Sequence, residues 1–144
     1  MDRDQVKFII VHCSATPPAM DIGAAEIDRW HRERGWLGIG YHGVIRRDGK
    51  LESGRPLDRP GAHAKGYNYE SIGVCLVGGV DDHGQPENNF TPEQFAHLRI
   101  ILDQLSQRFP NAEILGHRDL PGVAKACPCF NVRAWLTGKL EATE

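Results

Sequence analysis

Hydrophobic positions along the chain follow two rhythms, continuous short runs and a helical stripe, and their alternation predicts strands and helices interleaved around an apolar sheet. Phe8-Ile9-Ile10-Val11-His12 is a β-branched run of strand length, and its continuity predicts burial on both faces. Thr16-Pro17-Pro18 breaks it. A helix is expected from about Ala24 to Arg34, with Asp21 as its cap, Ile27 and Trp30 on one side, and Gly35 as its stop. Tyr41 to Ile45 and Leu51 to Ser53 are extended runs flanking Asp48-Gly49, a hairpin signal. Ser71 to Val77 reads as a central strand ended by Gly78-Gly79, and a polar loop follows from Asp81 to Asn89.

Thr91-Pro92-Glu93-Gln94 is the clearest helix start in the chain. Thr91 can accept from the Gln94 amide while the Gln94 side chain reaches back, and Pro92 stands where its missing N–H costs nothing. Phe95, Leu98, Ile101, Leu102 and Leu105 then form a stripe predicted to be buried, and Pro110 ends it. Ile114-Leu115 suggests a short strand, and Asn131 a cap for a last helix carrying Val132, Trp135 and Leu136. The pattern predicts a two- or three-layer α/β fold. With 144 residues, one domain spanning 1–144 is expected, large enough to bury its core without disulfides.

Composition narrows the function classes. Net charge is -2, so no global positive field argues for nucleic acid or an anionic membrane. The Phe8–Val11 run is far too short to span a bilayer, and Met1-Asp2-Arg3-Asp4-Gln5 does not resemble a secretion signal, so a cytoplasmic protein is expected. In that compartment Cys13, Cys75, Cys127 and Cys129 are expected as thiols or metal ligands rather than disulfides.

Three metal-competent side chains follow or close apolar runs. His12 ends the first strand, His117 follows Ile114-Leu115-Gly116, and Cys127 lies in Lys125-Ala126-Cys127-Pro128-Cys129. Imidazole nitrogen and thiolate sulfur suit zinc, and three protein ligands with an open fourth position define a catalytic site. Spacing alone is weak support, because it matches neither the helical two-histidine signature nor paired CxxC motifs. Other candidates read as structural. His31 lies on the first helix, and His83 and His97 read as loop and helix-surface residues without partners. Cys13 points opposite to His12, Cys75 sits mid-strand, and Trp30 and Trp135 occupy apolar helix faces. For Trp36, substrate contact and packing remain equally open.

Five blocks carry a family resemblance: Val11-His12-Cys13-Ser14-Ala15-Thr16, Gly40-Tyr41-His42, Ala62 to Asn68, Ser71 to Gly79, and Lys125-Ala126-Cys127-Pro128. Together and in this order they resemble the N-acetylmuramoyl-L-alanine amidases, above all the short phage endolysins called phage lysozymes. Peptidoglycan recognition proteins and cytoplasmic recycling amidases share that fold. The resemblance runs from about Phe8 to Trp135. It implies a mixed central β-sheet flanked by helices and one Zn2+ held by His12, His117 and Cys127. It further implies Tyr41 and Lys125 as catalytic side chains, and His63 and Asn68 as residues lining the substrate groove. Cys129 competes on proximity, but the family pattern selects the cysteine before the proline. Without the resemblance, Lys125 reads as a solvated loop charge and Tyr41 as a half-buried strand aromatic.

The implied reaction is hydrolysis of the amide between N-acetylmuramoyl and L-alanine in peptidoglycan, by a monomer that reaches the wall only after membrane permeabilisation. Alternatives are a recycling amidase acting on soluble muropeptides and a non-catalytic peptidoglycan-binding module; the presence of all three ligands argues against the latter. Some phage amidases of this type also bind and restrain the phage RNA polymerase, a partner for which Met1 to Lys7 offers no evident surface.

Overall fold

The computed structural model describes residues 4–138, so residues 1–3 of the polar start lie outside the described residues. In chain order the elements are β1 (Phe8–Cys13), α1 (Ala24–Glu33), β2 (Gly43–Ile45), β3 (Leu51–Ser53), β4 (Ser71–Leu76), α2 (Pro92–Arg108), β5 (Glu113–Gly116) and α3 (Val132–Leu136). Short 3-10 turns occupy Asn68–Glu70 and His117–Asp119. The five strands form one mixed sheet in the order β3-β2-β4-β1-β5. β2, β4, β1 and β5 run parallel, and β3 returns antiparallel beside β2 through the expected hairpin.

Strand pleating sorts the two faces. Ile9, Val11 and Cys13 of β1 and Ile72, Val74 and Leu76 of β4 join the α2 stripe and Trp135 of α3 in the largest core cluster. The opposite face of the same strands carries Ile10 and His12, then Ser71, Gly73 and Cys75, and it is covered by α1 and loops. This alternation delivers His12 to the α1 side of the sheet, one residue before β1 ends. Within the larger cluster, Phe95 packs edge-on against Phe130 at 5.2 Å between ring centres, and Phe130 meets Trp135 at 6.1 Å. Burying an aromatic side chain of this size contributes roughly 1.5–3 kcal/mol. Phe130 thereby anchors the loop that carries Cys127.

Helix starts follow local and tertiary rules in turn. Thr91 Oγ1 accepts from the Gln94 amide at 3.1 Å and Gln94 Oε1 accepts from the Thr91 amide at 2.9 Å, as the motif predicts. Asn131 caps α3 by accepting from the Ala134 amide. For α1 the expected cap Asp21 is corrected. Gly23 occupies the cap position, while Glu52 of β3 accepts from the Ala24 amide at 2.8 Å. Asp21 instead faces Arg46 at 3.5 Å. A carboxylate at a helix N-terminus is favourable whichever segment supplies it.

Gln94 is fully buried and donates to the carbonyls of Ile45 and Val77, tying α2 to the end of β2 and to the residue after β4. Gln94→Leu is expected to destabilise the fold by about 1–3 kcal/mol, since it strands partners in a dry interior. Urea unfolding checks this, and an unshifted midpoint would reject the account.

Candidate metal centre

His12, His117 and Cys127 come from three places and meet on the α1 side of the sheet, with one ligand-type atom from each lying within 4.8 Å of the others. β1 supplies His12. The end of β5 supplies His117, whose turn is held by Asp119 accepting from the Gly116 amide at 2.8 Å. Cys127 is brought in when the Arg118 amide donates to its carbonyl at 2.9 Å, coupling the His117 turn to the cysteine loop. Gly116 permits this approach, for a Cβ there would stand 2.9 Å from the Pro128 ring.

The donor set fits a transition metal. Cys127 Sγ lies 3.9 Å from His12 Nδ1, and the Cys13 amide donates to the same sulfur at 3.2 Å. A four-coordinate ion with bonds of about 2.0–2.3 Å keeps neighbouring donors roughly 3.5 Å apart, close to this separation. Burial, the largest cause in both, holds His12 and His117 below the ordinary histidine value, with the Lys125 charge adding to it. Both rings are therefore neutral, the form that binds a metal. Cys129, with a backbone φ of 73°, lies outside the three-residue cluster, and its sulfur faces Cys13 at 3.9 Å. Cys13 is pushed up to about 12, first by its hydrogen bond with Cys127, so it remains a thiol.

The other residues singled out from the sequence occupy three settings. Tyr41 packs its ring 5.1 Å from that of His12, and burial raises its phenol well above the ordinary value. Lys125 is exposed, and its charge is felt at both His12 and His117. His63 lies directly behind His12, with His63 Nδ1 2.8 Å from His12 Nε2. Asn68 clasps the same loop, its oxygen accepting from the His63 and Ala64 amides at 3.0 Å each. Asn68 also borders a surface groove lined in part by Arg32, Arg55, Arg59 and Tyr69.

Residues read as structural behave so, with one correction. His31 is buried and accepts from the Gly40 amide, and Trp36 packs against it at 4.6 Å. Trp135 and Cys75 are core residues. His97, expected to have no partner, hydrogen-bonds the Gly49 carbonyl at the hairpin turn. Ser71 and Gly73, read only as strand positions, turn out to line the back of the site.

The fold and the sequence each have known counterparts. The family model described as N-acetylmuramoyl-L-alanine amidase matches residues 2–130. The chain belongs to this amidase family. It is 50% identical over 133 residues to the endolysin of Klebsiella phage KP32, covering 92% of this chain and 87% of that one. The solved N-acetylmuramoyl-L-alanine amidase LysC from Clostridium intestinale superposes with a TM-score of 0.80 at 28% identity, covering 95% of this chain and 86% of its own. Drosophila PGRP-LB, at 23% identity and a TM-score of 0.75 over 96% of this chain and 85% of its own, shares the fold. Among the described residues of this amidase, no helix is long and apolar enough to cross a membrane.

Five histidines of the amidase, His12, His31, His42, His63 and His117, are held below their ordinary value, with burial the largest cause in each; His63 lies at about 3. The unfolded chain binds protons on these rings as pH falls through about 6.5, while the folded chain takes them up only at lower pH. Stability is therefore complete above about pH 6.5 and is lost as pH falls toward the folded values. Metal-free protein is expected to be less stable at pH 5 than at pH 7, a ring held as low as His63 contributing up to about 1.4 kcal/mol per pH unit. Equal urea midpoints at the two pH values would contradict it.

Proposed function

We propose that this amidase is a zinc enzyme of the endolysin type, cutting the amide between the muramoyl lactyl group and L-alanine in the peptidoglycan wall after membrane permeabilisation. The observation that carries the reading is the convergence of His12, His117 and Cys127, two neutral imidazoles and a sulfur, at one side of the sheet. His12, through Nδ1, together with His117 and Cys127 would hold the ion. When bound, zinc acts as a Lewis acid that lowers the pKa of its water to about 7 and polarises the scissile carbonyl.

The chain's own residues supply the rest. Tyr41 keeps its proton because its phenol is buried, and with its ring 5.1 Å from that of His12 it is the hydrogen-bond donor assigned to the reacting amide. Lys125 brings a positive charge near His12 and His117, suited to stabilising the oxyanion of an amide under attack. Held by Cys127 as a thiolate, the ion would be less acidic than one held by three neutral ligands, which gives both donors more to do. Asn68 and the arginines beside it offer a cationic, hydrogen-bonding groove for the stem peptide and its carboxylates.

The test is release of new L-alanine amino termini from purified peptidoglycan, with and without a zinc chelator. Chelator-sensitive release without new reducing sugars is the expected result. Release only from small soluble muropeptides would replace the wall substrate by a recycling one. No release from folded, zinc-loaded protein would reject hydrolysis and leave a binding module.

A further inference from the structure

His63 lies outside the three-residue cluster, and its ring sits against His12 in a place built for it. Gly73 of β4 leaves the slot, since a Cβ there would lie 2.7 Å from His63 Cγ and Nδ1. His42 closes the slot edge-on at 5.7 Å between ring centres, and is itself fixed by the Gly73 amide and the Arg59 carbonyl. Asn68 pins the His63 backbone from the other side.

The hydrogen bonds behind the ring have one consistent direction, set by a carbonyl at their far end. The Tyr67 carbonyl only accepts, so the Ser71 hydroxyl, 2.8 Å away, donates to it. Ser71 Oγ then presents lone pairs to His63 Nε2 at 3.4 Å, the longest link, and Nε2 carries the proton. A neutral imidazole protonated there has a bare Nδ1. That nitrogen accepts from His12 Nε2 at 2.8 Å, so His12 in turn carries its proton on Nε2. His12 Nδ1 is left bare and faces Cys127 Sγ at 3.9 Å.

We propose that His63 is a positioning residue for the metal ligand His12: the Tyr67–Ser71–His63 relay selects the His12 tautomer that presents Nδ1 to the ion and fixes the ring's orientation. This rests on the metal-site reading above. Metal-binding histidines are commonly oriented by a partner on the second nitrogen, and loss of such a partner weakens metal binding about 10–100-fold. Here a second histidine takes that part, and a buried serine and a backbone carbonyl set its polarity.

The test measures zinc affinity by competition with a chromophoric chelator, the visible spectrum of the cobalt-substituted protein, and the His12 tautomer by nitrogen NMR. His63→Leu is expected to lose about 10–100-fold in zinc affinity, to change the cobalt spectrum and to give a mixed His12 tautomer. His63→Gln, whose side-chain oxygen can accept from His12 Nε2, should recover most of the affinity. Should His63→Leu not fold, Ser71→Ala carries the test, with a smaller loss of affinity and the same tautomer mixing. Wild-type affinity and spectrum in folded His63→Leu, or an unaltered tautomer in Ser71→Ala, would overturn the proposal while leaving the metal site intact. Failure of the wild-type protein to bind zinc or cobalt would overturn both readings.

Discussion

Cys127→Ser is expected to remove both metal retention and hydrolysis while leaving the fold in place. Serine is close in size, and its oxygen can still accept from the Cys13 amide that now reaches the sulfur. Its hydroxyl does not ionise near neutral pH, so the negative donor is lost and two imidazoles remain. Without a Lewis acid the enzyme forgoes several kcal/mol of transition-state stabilisation, and release of alanine amino termini should fall about 10³-fold or more. Zinc content after gel filtration, read beside the hydrolysis assay, decides the matter. Cys129→Ser serves as the comparison, because the Cys129 sulfur faces Cys13 and lies outside the three-residue cluster. If Cys129→Ser lost the metal and Cys127→Ser kept it, the ligand assignment would be wrong.

Lys125→Ala separates chemistry from metal binding. Lys125 is exposed and outside the ligand set, so zinc content should not change. Its charge nevertheless acts on His12 and His117, adding to the effect of burial. Removing a single donor to a developing oxyanion typically costs about 10²–10³ in kcat, and a loss of that size with unchanged zinc is expected here. Lys125→Arg should restore part of it. Full turnover in zinc-loaded Lys125→Ala would return the residue to the solvated surface.

Local chemistry wrote much of the fold openly. The Thr91-Pro92-Glu93-Gln94 start, the α2 stripe, the Asp48-Gly49 hairpin and the buried run of β1 each depend on neighbours in sequence, and each stands as read. Asp21 misled because the carboxylate capping α1 comes from β3, a partner that sequence proximity does not reveal. The site divided along the same line. His12, His117 and Cys127 were visible as metal-competent residues, and resemblance joined them. The position of His63 behind His12 was not visible, because it depends on a glycine across the sheet and on Ser71 at the far end of a relay. The choice of Cys127 over Cys129 came from the resemblance, while the contact of the Cys129 sulfur with Cys13 was not legible in the sequence.

The parallel placement of β1 between β4 and β5 has a consequence for synthesis. The first strand to leave the ribosome finds both of its sheet partners much later in the chain, Phe8 pairing with Ser71 on one side and Glu113 on the other. Non-local pairing of this kind forms slowly and late. His12 emerges early but meets Cys127 only after nearly every element has been translated. A nascent or prematurely terminated chain therefore lacks the assembled cluster of His12, His117 and Cys127, which comes together only as the fold is completed.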